Sequence, residues 1–144
     1  MRYITIKRYK RNETHGVAGR HAVNIPYGSA VEESGGKLFY NGVEICGDHS
    51  AVMREYFARD DDGLGLERGK LSQAIIQTML ARPGETREQH QARWDVIWND
   101  VLVCPKYRKT VPESGDWLWS IEFFNAPIED LKYIAALVGA GKGN

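Results

Sequence analysis

The chain has 144 residues, 42% of them hydrophobic and 26% charged, and its 19 basic and 19 acidic side chains cancel. That length fits one domain, able to bury roughly 70% of its unfolded surface without staples, and the absent net charge excludes wholesale attraction to nucleic acid or membrane. Two cysteines, Cys46 and Cys104, are too few for a disulfide framework and fit two thiols in a reducing compartment.

Residues Met1 to Lys7 lack an apolar signal core, and no apolar run approaches a membrane span. An intracellular, cytoplasmic protein is expected. Arg2 to Tyr9 alternates, with Ile4 and Ile6 on one face and Thr5 and Lys7 opposite, which predicts a half-buried strand. Arg11 to Gly19 is polar and glycine-bearing, so a loop is expected there. His21 to Ile25 resumes a β pattern that Pro26 interrupts. Between Leu38-Phe39-Tyr40 and Val43-Glu44-Ile45, Asn41-Gly42 supplies the two left-handed positions of a type I′ turn, so residues 37–46 form a hairpin.

Asp48 or Ser50 can cap a helix reaching about Ala58, with Val52, Met53, Tyr56 and Phe57 buried. Leu71, Ala74, Ile75, Thr78 and Met79 then recur at helical spacing over residues 66–81, and Pro83-Gly84 stops that helix. Thr86 caps the next one, with Gln89 at the reciprocal capping-box position and Trp94, Ile97, Trp98 and Val101 as its apolar stripe. Residues 117–124 fit a strand through Trp117, Trp119, Ile121 and Phe123. They fit a helix almost as well through Trp117, Leu118, Ile121 and Phe124. Pro127 suits a first helical turn, with Glu129 and Asp130 at its positive end and Ile128, Leu131, Ile134, Ala135 and Val138 buried. The expected fold is α+β: an N-terminal antiparallel sheet followed by three or four helices, in one domain over residues 1–138 with a flexible tail at 139–144.

Near the middle lies Arg59-Asp60-Asp61-Asp62-Gly63-Leu64-Gly65-Leu66-Glu67-Arg68-Gly69-Lys70-Leu71, around which the chain changes from strands to helices. Three adjacent carboxylates repel one another and are tolerated only in water, beside cations or around a metal. The EF-hand register fails, because it places Ala58 at the first ligand position and Gly69 at the bidentate one. A looser Mg²⁺ or Ca²⁺ site would use Asp60, Asp62 and Glu67. The bland alternative is a solvated turn whose acids cap the next helix and pair with Arg59 and Arg68. Cys46-Gly47-Asp48-His49 has a zinc-like spacer that Cys104 or His90 would have to complete, but the second pair is missing. His15 and His21 read as surface histidines. No glycine pattern for phosphate binding follows a strand.

Two basic runs are each interrupted by a tyrosine: Lys7-Arg8-Tyr9-Lys10-Arg11 and Lys106-Tyr107-Arg108-Lys109. Cations hold phosphates and an exposed ring stacks on an unpaired base, so each run is a candidate grip for nucleic acid or a nucleotide. The competing reading is an edge strand guarded by lysines and a solvated loop. The four tryptophans read as core, and a pair left exposed would mark a partner-binding patch.

Arg59 to Leu71, Asn125 to Ile134 and Asn24-Ile25-Pro26-Tyr27-Gly28 resemble stretches of small phage and prophage accessory proteins. The resemblance implies an intracellular protein acting on host or phage machinery, including inhibition of a bacterial defence system. It implies no site residue and no cofactor. The leading expectation is therefore a non-catalytic protein that binds a protein target. Next stand a nucleic-acid-binding factor using the two basic runs and a metal-dependent enzyme centred on Asp60, Asp62 and Glu67.

Overall fold

The structure is a computed structural model that describes residues 2–11, 22–48 and 50–139. The loop expected up to Gly19, His15, His21, His49 and most of the expected tail lie outside the described residues. The chain divides into two compact units, Met1–Gly69 and Lys70–Asn144.

In the first unit, β1 (Arg2–Thr5) is followed by β2 (Tyr9–Arg11), β3 (Val23–Ile25), β4 (Ala30–Ser34), β5 (Lys37–Tyr40) and β6 (Val43–Gly47). Helix α1 (Ala51–Tyr56) leads into β7 (Phe57–Arg59), and α2 (Gly65–Thr78) begins beyond the aspartates. An antiparallel sheet runs in the order β6-β5-β4-β1-β7, and β2 and β3 make a separate two-stranded ladder. The 37–46 hairpin forms as expected, with φ of 50° at Asn41 and 79° at Gly42. A second glycine turn at Gly35-Gly36, with φ of 58° and 80°, joins β4 to β5. That Gly-Gly signal also belongs to hairpins, and it makes residues 30–34 a strand that the apolar pattern alone did not announce.

The expected strand from Arg2 to Tyr9 is corrected on two points. It is broken at a bend over Ile6 and Lys7, and its buried alternation has the opposite phase, with Tyr3 and Thr5 inside. The cause lies on the other face. A Cβ at Gly65 would sit 2.5 Å from Ile4 Cγ2, and one at Gly69 would sit 2.5 Å from Ile6 Cγ2. Two glycines one helical turn apart thus let the start of α2 approach β1 closely, and both faces of β1 are used. Ser50 caps α1 through Met53 N–H. That helix is shorter than expected, because Phe57 and Ala58 are buried in β7 as partners of β1.

In the second unit, Thr86 and Gln89 make the reciprocal capping box of α3 (Arg87–Trp98). Arg93 and His90 on α3 meet the end of α2: Arg93 donates to the carbonyls of Thr78 and Leu80, and His90 Nε2 lies 2.8 Å from that of Met79. Beyond α3, β8 (Arg108–Thr110) pairs antiparallel with β9 (Trp117–Trp119), and α4 (Ile121–Phe124) and α5 (Ile128–Val138) follow. The ambiguous stretch 117–124 is thus strand in its first half and helix in its second. Pro127 stands at the N-cap of α5, and Gly139 closes it with φ of 78°. Val101 is 90% exposed, contrary to the expected stripe, because α3 ends at Trp98. The buried cluster of this unit is built on Ile75, Ile97, Trp98, Tyr107, Phe123 and Leu131.

The architecture is α+β with an N-terminal antiparallel sheet. Among the described residues it has five helices, with α1 set before the last strand of the sheet and a strand pair among the later helices. No described helix is long and apolar enough to cross a membrane.

Candidate functional site

The three aspartates all engage the chain around them. Asp60 is buried and accepts from Gly65 N–H at 2.8 Å, at the start of α2, where backbone donors lack helical partners. Asp61 accepts from the backbone N–H of Arg2 at 2.7 Å, tying the turn to β1. Asp62 accepts from both terminal nitrogens of Arg68, at 2.7 and 3.3 Å, and from Leu64 N–H at 3.0 Å. Arg68 is fully buried and also donates to the Arg59 carbonyl at 2.6 Å. These donors, the Arg68 guanidinium first, hold the Asp62 carboxyl down at about 2. Glu67 lies exposed in the first turn of α2. Among the described residues no group of three or more histidines, cysteines, aspartates or glutamates gathers to hold a metal ion.

Both cysteines are free thiols. Cys46 belongs to the first unit and Cys104 to the second, and burial pushes the Cys46 thiol above its ordinary range.

The two basic runs fall in different units. Neither tyrosine offers a face for stacking: Tyr9 packs edge-on against Tyr56, and Tyr107 is fully buried and donates to Asp130. Burial, with Asp130 beside it, pushes the Tyr107 hydroxyl well above its ordinary range. Several cations also have partners within the chain. Lys7 pairs with Glu55 at 2.9 Å, which raises its pKa, and Arg8 donates to Asn24 at 3.0 Å. Arg11 donates to the carbonyls of Glu44 and Ile45, and Lys106 lies over the Tyr107 ring. Lys10 and Lys109 are exposed. Residues Lys106 to Lys109, a solvated loop in the competing reading, turn into β8 at Arg108.

What the sequence reading did not single out is a cleft of about 620 Å³ in the second unit, lined by Trp94, Trp98, Trp117 and Trp119. Two elements build it. A spacing of four residues places Trp94 and Trp98 on one side of α3, where their rings stack 4.8 Å apart. Alternation places Trp117 and Trp119 on one face of β9. Trp119 continues the series, with ring centroids 4.7 Å from Trp98 and 4.1 Å from Phe123. Thus Trp98 and Trp119 are anchored in the core, while Trp94 and Trp117 are only half-buried. At the margin stand Gln91, Asp95, Asp116 and the exposed Leu118. The Arg108 guanidinium lies 4.0 Å from the Trp117 ring centre and donates to the Trp98 carbonyl, so one indole face already holds a cation. Gln91 donates to Asp95 at 2.9 Å. His90 Nε2 is 3.2 Å from Trp94 Nε1, accepting from it in one tautomer and donating to Met79 in the other.

One polar atom here has no partner: Trp119 Nε1 is buried without a hydrogen bond, in a residue only 9% exposed. A buried indole N–H normally finds an acceptor, and leaving one unmet costs about 1–3 kcal/mol. The spacings of the four tryptophans were visible in the sequence, but the pairing of β8 with β9 was not. Ring contacts of Trp119 with Trp94 and Trp98 set both aromatic pairs at one cleft.

Compared with known proteins, the chain matches no family model, no curated protein and no solved structure.

Proposed function

We propose that this chain is a non-catalytic binding protein whose target is another protein, and that the tryptophan cleft of the second unit holds that target. The reading rests on the four-tryptophan cleft with a polar margin and one unmet buried donor. Concave aromatic surface ringed by polar groups is where binding energy concentrates in protein interfaces, because indole buries much apolar area and loses little conformational entropy. More particularly, the protein is an accessory factor of the phage or prophage type that its sequence resembles, acting on host machinery, including as an inhibitor of a defence system. The basic runs do not support a second reading, since their tyrosines are buried and most of their cations already have partners.

The test uses the whole chain as bait in bacterial lysate, beside a Trp94→Ala/Asp116→Ala variant. A partner retained by the first and lost from the second is the expected outcome. An identical set of retained proteins for both baits would refute the assignment of the cleft.

A further inference from the structure

We propose that the occupant of the cleft is a lysine or arginine side chain on an extended peptide segment of the target. Its cationic head lies on the indole of Trp94 beside Asp95 and Asp116. This rests on the reading of the cleft as the protein-binding site and adds the chemistry of what enters it.

Charge supplies the first ground. The two carboxylates at the margin outnumber the one guanidinium, so the cleft carries a net negative charge and disfavours phosphates and acidic peptides. Ring geometry supplies the second. Indole is the best aromatic partner for a cation, and Arg108 on Trp117 already shows that contact at this site. Trp94 is the other half-buried indole, stacked on Trp98 and unoccupied by any cation of the chain among the described residues. The groove along α3 between Arg87, Glu88 and Ala92, which shares Gln91 and Asp95 with the cleft, gives the rest of such a segment room to lie.

All four tryptophans belong to the second unit, so indole fluorescence and the indole N–H resonances of the intact chain report this site directly. The probes are short blocked peptides with a central lysine or arginine, their uncharged norleucine and citrulline counterparts, a glutamate counterpart and oligothymidylate. The cationic peptides are expected to bind about tenfold more tightly than the uncharged ones, as one cation–π contact with partly solvated carboxylates allows. They should also shift the Trp94 indole proton. Asp95→Asn/Asp116→Asn, at two exposed positions, should remove that preference and leave the melting temperature unchanged. Equal binding of charged and uncharged peptides would overturn the cationic occupant and leave a protein-binding cleft standing. Binding of oligothymidylate alone, or of no probe at millimolar concentration, would overturn both.

Discussion

The two units put their conspicuous residues to opposite use. In the first, the run of aspartates is consumed internally: Asp60 caps α2, Asp61 ties down Arg2 and Asp62 neutralises a fully buried arginine. In the second, aromatic residues that would serve as core instead open onto a cleft, and one of them keeps an unmet donor. A cluster of charge marks a functional site only where its partners are missing, and here the partners of all three aspartates lie within the first unit. Aromatic residues at core spacing mark a site where packing leaves their rings half-buried at a cleft, as at Trp94 and Trp117. The contrast teaches that a charged run answered by its own unit is structure, while rings left half-buried around a cleft stay open to a partner.

The largest expected effect tests the closeness of the first unit. Gly65→Ala would place a methyl 2.5 Å from Ile4 Cγ2 and 2.7 Å from Asp60 Oδ1, forcing the helix start away from β1 and weakening its cap. A loss of about 2–3 kcal/mol is expected in urea unfolding, since overpacking outweighs the roughly 1 kcal/mol of helix propensity that alanine gains. Amide exchange should localise the loss to β1 and β7. A neutral or stabilising result would mean the close approach carries no energy.

Second in size is Asp62→Ala, which strips Arg68 of its carboxylate while leaving it the Arg59 carbonyl. Breaking a fully buried pair costs about 3–5 kcal/mol, but Asp62 is partly solvated, so about 1–2 kcal/mol is expected. Acid should mimic the substitution. The folded Asp62 carboxyl sits at about 2, below its unfolded value near 4, so its contribution is complete above roughly pH 4 and disappears as pH falls through about 2. Glu85, held at about 2 by Arg93, gives the second unit the same dependence. Denaturation midpoints from pH 5 to 2 should therefore fall for both units, and Asp62→Ala should flatten the fall in the first alone.

Much of the fold was legible in local chemistry. Asn41-Gly42 declared its turn, Thr86 and Gln89 their box, and Pro127 and Gly139 the two ends of α5, because each signal acts within a few residues. The phase of β1 was hidden, because Ile4 and Ile6 look like the core face and are turned toward α2 by glycines some sixty positions away. Long-range pairing decided the site as well. Trp94 with Trp98 and Trp117 with Trp119 were visible as two pairs, but nothing local brings a helix and a strand to one cleft. The basic runs misled for a related reason: composition shows charge and hides the carbonyls and carboxylates that answer it. Tyr107, between lysine and arginine in sequence, is buried in the apolar cluster of the second unit, where Asp130 on α5 accepts from its hydroxyl.

A middling effect should come from the second unit's best local signal. Thr86→Ala removes the acceptor for Gln89 N–H and is expected to cost about 1 kcal/mol, read by tryptophan fluorescence during urea unfolding. Because all four tryptophans report this unit alone, the same variant should leave the exchange of β1 and β7 amides unchanged. Altered exchange in those strands would show that the two units unfold together.

The smallest expected change in stability bears most directly on the contrast. Trp119→Phe removes ring volume from a stacked series, which ordinarily destabilises a core, and it also removes the buried donor that nothing in the chain accepts. Lost packing of about 1–2 kcal/mol is then offset by relief of an unmet donor of about 1–3 kcal/mol, so the net change should lie within about 1 kcal/mol of zero. Asp62→Ala in the first unit deletes a polar group with partners and must destabilise, whereas Trp119→Phe deletes one without. A loss above about 2 kcal/mol for Trp119→Phe would mean the indole N–H is satisfied in the free protein. Near-neutral stability would instead mark that N–H as a buried donor whose loss the packing tolerates.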